Sequence, residues 1–329
     1  MNLNNKSVLV TGGAGFIGSH LVDRLIKGNL ENLVVIDDFI VGRYENLDQA
    51  MKKFKGLKIY NQDASDYDTI KAIILEYDID VVFDLATIPL PASIEKPKWV
   101  YETNVNRCLT LCELIREDCY NTLIHYSSSE AYGSLTYEPM DENHPWNPTT
   151  PYAASKAAED HLIFSYYHTY GIDMAIIRPF NNYGPRQNHG KYAGLIPLTI
   201  KRILDGEPPI IYGDGNQTRD YIYVTDTTNA SINIYENNNT RGKVLNIASG
   251  KEITINEIVR AITEYLDFNK PIEYKEPRPG DVLRHFADIS LAQNLIGFQP
   301  SIEFNEGIKF TIEWYKKLLS GNKHGHKGD

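Results

Sequence analysis

Cysteine is scarce in this chain: three residues in 329, Cys108, Cys112 and Cys119, all within one amphipathic stretch. So few, so closely grouped, do not make a disulfide framework, and free thiols in a reducing compartment are expected rather than a bridge or a metal site. Positive charge is also short. Lys and Arg number 33 against 43 Asp and Glu, a formal charge of −10, which argues against a nucleic acid partner. No apolar run reaches the length of a membrane span. The early run Val8-Leu9-Val10 stops at glycines, unlike a secretory leader. Together these shortages predict a cytoplasmic protein with no membrane partner and no metal. His324 and His326 lie in a tail, 321–329, that is expected to be disordered.

What is present is ordinary for a globular chain, 42% apolar and 23% charged residues, at a length that suits two lobes. Short β-branched runs alternate with helical patterns through the first half, the mark of a parallel sheet covered on both faces. Strands are expected at 7–11, 33–36, 57–60, 81–85, 122–126 and 174–178. Helices are expected at 15–27, 67–76, 99–117 and 152–170. After Pro179 the pattern breaks into Asn-, Gly- and Pro-rich loops, with helices near 195–204, 253–266 and 304–318. The expected organisation is a nucleotide-binding lobe, 1–180 with 224–250 returning to it, and a smaller discontinuous α/β lobe from 181–223 and 251–320.

Thr11-Gly12-Gly13-Ala14-Gly15-Phe16-Ile17-Gly18 falls between the first strand and the first helix. Glycines there permit a tight turn and the approach of a pyrophosphate to a helix N-terminus, so Gly12, Gly15, Phe16, Ile17 and Gly18 are cofactor candidates. Asp37 ends the second strand, where a carboxylate accepts from an adenosine ribose and repels a 2′-phosphate; Asp38 strengthens the preference for NAD. The fold class is therefore α/β, a Rossmann-type doubly wound parallel sheet. Ligands bind beyond the carboxyl ends of such strands, which adds Asp63, Ala64, Leu85, Ala86, Thr87 and Pro179. Asn104 is either a further cofactor contact or a polar helix residue.

Ser127-Ser128-Ser129-Glu130-Ala131-Tyr132-Gly133 and Pro151-Tyr152-Ala153-Ala154-Ser155-Lys156 supply hydroxyls, a carboxylate, and a tyrosine one helical turn from a lysine. An ammonium beside a phenol favours the phenolate, so Tyr152 is expected to titrate below its ordinary value of about 10 and to act as a base.

With these motifs, and with Thr103-Asn104-Val105, Arg178–Arg186, Tyr212-Gly213-Asp214-Gly215, Arg219-Asp220-Tyr221 and Arg278-Pro279-Gly280-Asp281, the chain resembles the extended short-chain dehydrogenase/reductases, specifically the nucleotide-sugar epimerases and dehydratases. The resemblance covers nearly the whole length. It implies that Tyr152 takes a proton from a sugar hydroxyl, that Lys156 holds the nicotinamide ribose, and that Ser128 bonds the reacting oxygen. It also implies that Arg219 and Arg284 clamp a diphosphate, and that Asn181, Leu195, Ile196, Pro197 and Tyr212 surround the nucleotide sugar. Helices 99–117 and 152–170 would pair with a second copy as a four-helix bundle in a homodimer. The chain differs from the family at Asp84-Leu85-Ala86-Thr87, where His-Leu-Ala-Ala is usual, and in the uncharged loop Ile88–Ser93.

Glu130 separates the reactions. A carboxylate placed to remove the hydrogen on carbon 5 of a 4-keto sugar permits loss of the carbon-6 hydroxyl, a 4,6-dehydration; a 4-epimerase needs no such base. The dehydratases that carry an acid have aspartate where Ser129 stands, so a serine or a water must protonate the leaving group here. A 4-epimerase, a decarboxylase, a 4-dehydrogenase and a non-catalytic NAD-binding regulator remain the alternatives.

Overall fold

The structure, a computed structural model, describes residues 2–277 and 282–324. Six strands follow one another as β1 (Ser7–Thr11), β2 (Asn32–Asp37), β3 (Leu57–Asn61), β4 (Val81–Asp84), β5 (Thr122–Tyr126) and β6 (Asp173–Pro179). They form one sheet in the order β6-β5-β4-β1-β2-β3, and Val244–Ile247 adds a seventh strand beside β6. Every pairing in this sheet is parallel. Strands β1, β4 and β5 are buried along their whole length, which is why they read as continuous apolar runs and not as alternation.

Side chains alternate between two cores. Val8, Val10, Val35, Phe83, Ile124 and Ile177 join the cluster on one face. Leu9, Val34, Ile36, Val82, Leu123 and Ile176 join the other. The second face is covered by Pro97–Arg116 and Pro151–Tyr170, which pack against each other. Pro151–Tyr170 begins sharply, because Thr150 accepts from the Ala153 amide and Pro151 suits the first turn, and it stops at Gly171 in the left-handed region. Val224–Glu236 packs on the first helix, Phe16–Leu25.

The second lobe has its own core, built from Ile196, Ile200, Ile211, Ile258, Ile262, Ile312 and Tyr315. Its helix Ile255–Tyr265 starts with a reciprocal capping box between Thr254 and Glu257. One expected assignment differs. Ala292 and Phe298, placed with this lobe by sequence, pack instead in the sheet core. The helices Asp48–Lys53, Leu90–Glu95 and Ser290–Ile296 were not expected; so short a helix shows no usable periodicity. The final helix runs from Phe304 to His324, past the expected end and into the segment expected to be disordered. Among the described residues no helix is long and apolar enough to cross a membrane, and no His/Cys/Asp/Glu group is arranged to hold a metal.

Candidate active site

The glycine turn is built from backbone against backbone. Gly12 has a φ of +65°, and a Cβ there would lie 2.7 Å from the Leu85 carbonyl oxygen. A Cβ on Gly18 would lie 2.2 Å from the Gly12 carbonyl oxygen. Only glycine lets the β1 turn, the first helix and the loop after β4 meet this closely. Asp37 secures the turn: its Oδ2 accepts from the Ala14 amide and its Oδ1 from the Phe39 amide, both at 2.9 Å. Burial pushes its carboxyl above the usual range, against those two bonds.

A cavity of about 320 Å³ opens beyond the ends of β1, β4 and β5. Gly12, Gly15, Phe16, Ile17, Gly18, Asp37, Asp38, Ala64, Leu85, Ala86, Thr87, Pro179, Ser128, Tyr152 and Lys156, all named from the sequence, line it. Arg107, which sequence reasoning missed, lines it too. Its guanidinium is 4% exposed; it donates to Asp63 Oδ1 at 2.9 Å and pairs with Asp38. Its only sequence signal is an arginine three residues past Asn104 on an otherwise inward helix face.

Two expected cofactor contacts are used elsewhere. Asp63 does not line the cavity; it accepts from Arg107 and from the Ser65 amide and hydroxyl. Burial opposes its charge, but Arg107 outweighs burial and holds the carboxyl below its ordinary value. Asn104 is buried, accepts from the Ile88 amide at 2.8 Å and donates to the Ile88 carbonyl and Ser155 hydroxyl. It fixes the loop after β4. The cavity still suits a dinucleotide: glycines where side chains would intrude, and buried Thr87 Oγ1 and Gln187 Oε1 with no hydrogen-bond partner among the described residues.

The reactive groups gather at one end of this cavity. Ser128 caps the turn Ser129–Tyr132, its Oγ accepting from the Glu130 amide at 3.2 Å. Tyr152 departs from expectation: burial pushes its phenol above 10, outweighing Lys156 and a hydrogen bond with Ser128, while Glu159 and Glu130 push it further. The Lys156 ammonium lies 2.6 Å from Glu159 Oε2. Burial opposes its charge, but Glu159 more than compensates and raises its pKa. Ser129 is buried, its carbonyl accepting from His285 Nε2 at 3.2 Å. Neither Ser129 nor Glu130 is among the residues lining the cavity.

A second cavity, about 620 Å³, lies in the smaller lobe and is lined by Asn181, Leu195, Tyr212 and Arg219 of the expected set, with Lys201, Arg202, Gln217 and Tyr221. Arg219 Nη1 donates to the Thr218 and Val282 carbonyls at 2.8 and 2.6 Å. Ile196 and Pro197 are buried and do not line it, because their helix turns that side toward the lobe core. Arg284 does not line this cavity either. Its guanidinium is engaged by Glu252, at 3.0 and 2.7 Å, and by Glu138, away from the cavity. The motif Arg278–Asp281 lies outside the described residues.

The family described as GDP-mannose 4,6 dehydratase matches residues 9–311. The chain belongs to that family. A UDP-glucose 4-epimerase of Mycolicibacterium smegmatis is 34% identical, over 94% of this chain and 98% of the relative. A UDP-N-acetylglucosamine 4-epimerase of Methanobrevibacter ruminantium, solved with UDP-N-acetylmuramic acid, is 37% identical with a TM-score of 0.88, covering 96% and 99% of the two chains. A dTDP-glucose 4,6-dehydratase of Streptomyces venezuelae, solved with NAD, is 30% identical with a TM-score of 0.90, covering 96% and 98%. The protein is thus an enzyme of the extended short-chain dehydrogenase/reductase nucleotide-sugar group, and its cofactor is NAD. Within the family's site, Tyr152, Lys156 and Ser128 meet at the cofactor cavity.

Proposed function

We propose that the protein is an NDP-hexose 4,6-dehydratase. The observation that carries this reading is Glu130, a carboxylate on the turn that Ser128 caps, its amide donating to Ser128 Oγ at 3.2 Å. NAD, held by the glycine turn and Asp37, would supply the hydride chemistry that links sugar carbons 4 and 6. Tyr152 Oη takes the proton of the carbon-4 hydroxyl, with Ser128 Oγ on the same oxygen. Oxidation at carbon 4 acidifies the hydrogen on carbon 5, and Glu130 removes it. The carbon-6 hydroxyl then departs as water, carrying the proton equivalent released from oxygen 4, and Glu130 returns its proton to carbon 5. Ser129 lies buried beneath His285, so the leaving group is protonated through a water.

Arg219, in the second cavity, supplies a guanidinium for the diphosphate. A 4-epimerase is the second reading, favoured by the absence of an acid at Ser129 and by the epimerase relatives. Incubation with UDP-, dTDP-, GDP- and CDP-hexoses separates the two by mass: loss of 18 units is dehydration, an isomer of unchanged mass is epimerisation. Assembly belongs to the same reading. Tyr101 and Leu109 on Pro97–Arg116, and Tyr170 on Pro151–Tyr170, are exposed, and this supports a homodimer through a four-helix bundle. Light scattering at micromolar concentration tests it, and a monomeric mass refutes it.

A further inference from the structure

Behind Tyr152 and Lys156 the sheet lobe buries a run of titratable groups, Glu159, His125 and Asp84, that line neither cavity. The Lys156 and Glu159 side chains, 2.6 Å apart, are 2% and 3% exposed. The same Glu159 oxygen lies 3.3 Å from His125 Nε2, and His125 Nδ1 lies 2.8 Å from Asp84 Oδ2. Asp84 Oδ1 accepts from Thr11 Oγ1 at 2.7 Å. That hydroxyl oxygen in turn accepts from the Leu85 and Ala86 amides, the backbone that floors the cofactor cavity. A buried ion pair gains little net stability over a well-packed apolar pair, so packing alone does not explain a glutamate at this position.

Lys156 offers one positive charge to two neighbours, the Tyr152 phenol and the Glu159 carboxylate. A tyrosine that only accepted a proton would gain from the whole charge. One that must also give its proton back works best with an intermediate affinity. We propose that Glu159 is a positioning residue that holds the Lys156 ammonium and takes a share of its charge, a share limited by His125 and Asp84 behind it, so that Tyr152 remains able to return a proton. This rests on the reading of Tyr152 as the proton-transfer group.

The charged groups around this centre come from every element packed on it: Asp84 from β4, His125 from β5, Glu130 from the following turn, Glu159 and Asp160 from the helix, and Arg178 from β6, paired with Asp160. Cys108, from Pro97–Arg116, faces Glu159 as a thiol, held neutral by its bond with Cys112 and by burial. Burial and Lys156 work against a proton on His125, but Asp84 and Glu159 outweigh them and hold it above the ordinary histidine value. His125 Nε2 lies 3.3 Å from Glu159 Oε2 and 3.5 Å from Lys156 Nζ, so it competes with Lys156 for the Glu159 carboxylate.

Opposite variants give opposite signs. Carbon-13 tyrosine NMR on the NAD-saturated protein without substrate reads the Tyr152 titration, with Tyr152→Phe assigning the signal. Glu159→Gln leaves Lys156 undivided and lowers the Tyr152 pKa by about one unit; the acid limb of the kcat profile moves down with it. His125→Gln removes the imidazole that competes with Lys156 for Glu159 and raises the same pKa. An unchanged or raised value in Glu159→Gln overturns the proposal. If that variant does not fold, His125→Gln decides alone, and no rise overturns it. Because no substrate is present, a wrong choice between dehydration and epimerisation leaves the titration untouched. A failure of the underlying reading appears separately, as turnover retained by Tyr152→Phe.

Discussion

The two cavities are built in different ways. The cofactor cavity is walled by glycine turns in backbone contact and by side chains whose charges are matched one against another, such as Arg107 between Asp38 and Asp63. The cavity of the smaller lobe is framed by polar and charged side chains, Lys201, Arg202, Asp205 and Glu207 from the end of one helix and the turn after it, and Gln217 from a second segment. The first cavity can be lost by adding a single methyl group. The second should tolerate change except where a side chain grips the ligand. The difference sets a rule for variants: rigid backbone contacts fail outright, and substrate contacts fail by degrees.

Removing the proton-transfer group is the sharpest test of the first cavity. Tyr152→Phe is expected to lower turnover by about 10²- to 10⁴-fold, measured as product formed per enzyme. Next comes Gly18→Ala. Its Cβ would lie 2.2 Å from the Gly12 oxygen, and the overpacking costs about 1–3 kcal/mol. Loss of NAD on gel filtration and a lower urea midpoint are the expected results; unchanged NAD retention would break the comparison.

The second cavity is probed by a pair of arginines. Arg219→Ala should raise KM by about 10- to 100-fold, one charge-assisted contact, whereas Arg284→Ala should leave KM near wild type because Glu252 and Glu138 already engage that side chain. Equal effects of the two would contradict the placement of Arg284 away from the ligand.

The smallest expected effect concerns pH. Burial lowers His285 from 6.5 to about 3, so between these values the unfolded chain binds a proton that the folded protein rejects. Its contribution is complete above pH 6.5 and is lost as pH falls toward 3, by up to about 1.4 kcal/mol per pH unit. Asp220, raised to about 6 by burial, works in the other direction. The quantity to measure is therefore the difference between wild type and His285→Gln in urea unfolding from pH 7 to 5, where the variant should show the shallower loss.

The contrast also explains what the sequence disclosed. The glycine turn, Asp37, Ser128, Tyr152 and Lys156 sit in short contiguous motifs at the junctions of strands and helices, where local spacing dictates position. Arg107 and Glu159 look like ordinary helix charges until the helices pack, and their partners are 44 and 34 residues away in sequence at Asp63 and His125. Arg284 is a third case: its ion pairs with Glu252 and Glu138 share no local pattern with it and appear only in the folded chain. The raised Tyr152 pKa was hidden because its largest cause, burial, appears only once the helix packs, although Glu159 sits on the same helix one turn past Lys156.

Glu130 carries the choice of reaction, and one variant tests it most directly. Glu130→Gln, mixed with a turned-over nucleotide hexose in deuterated water, should still oxidise carbon 4, accumulate enzyme-bound NADH, and yield neither the dehydrated product nor deuterium at carbon 5. Wild-type enzyme should give both. If Glu130→Gln turns over at the wild-type rate, the carboxylate is structural and the account of a dehydratase is contradicted.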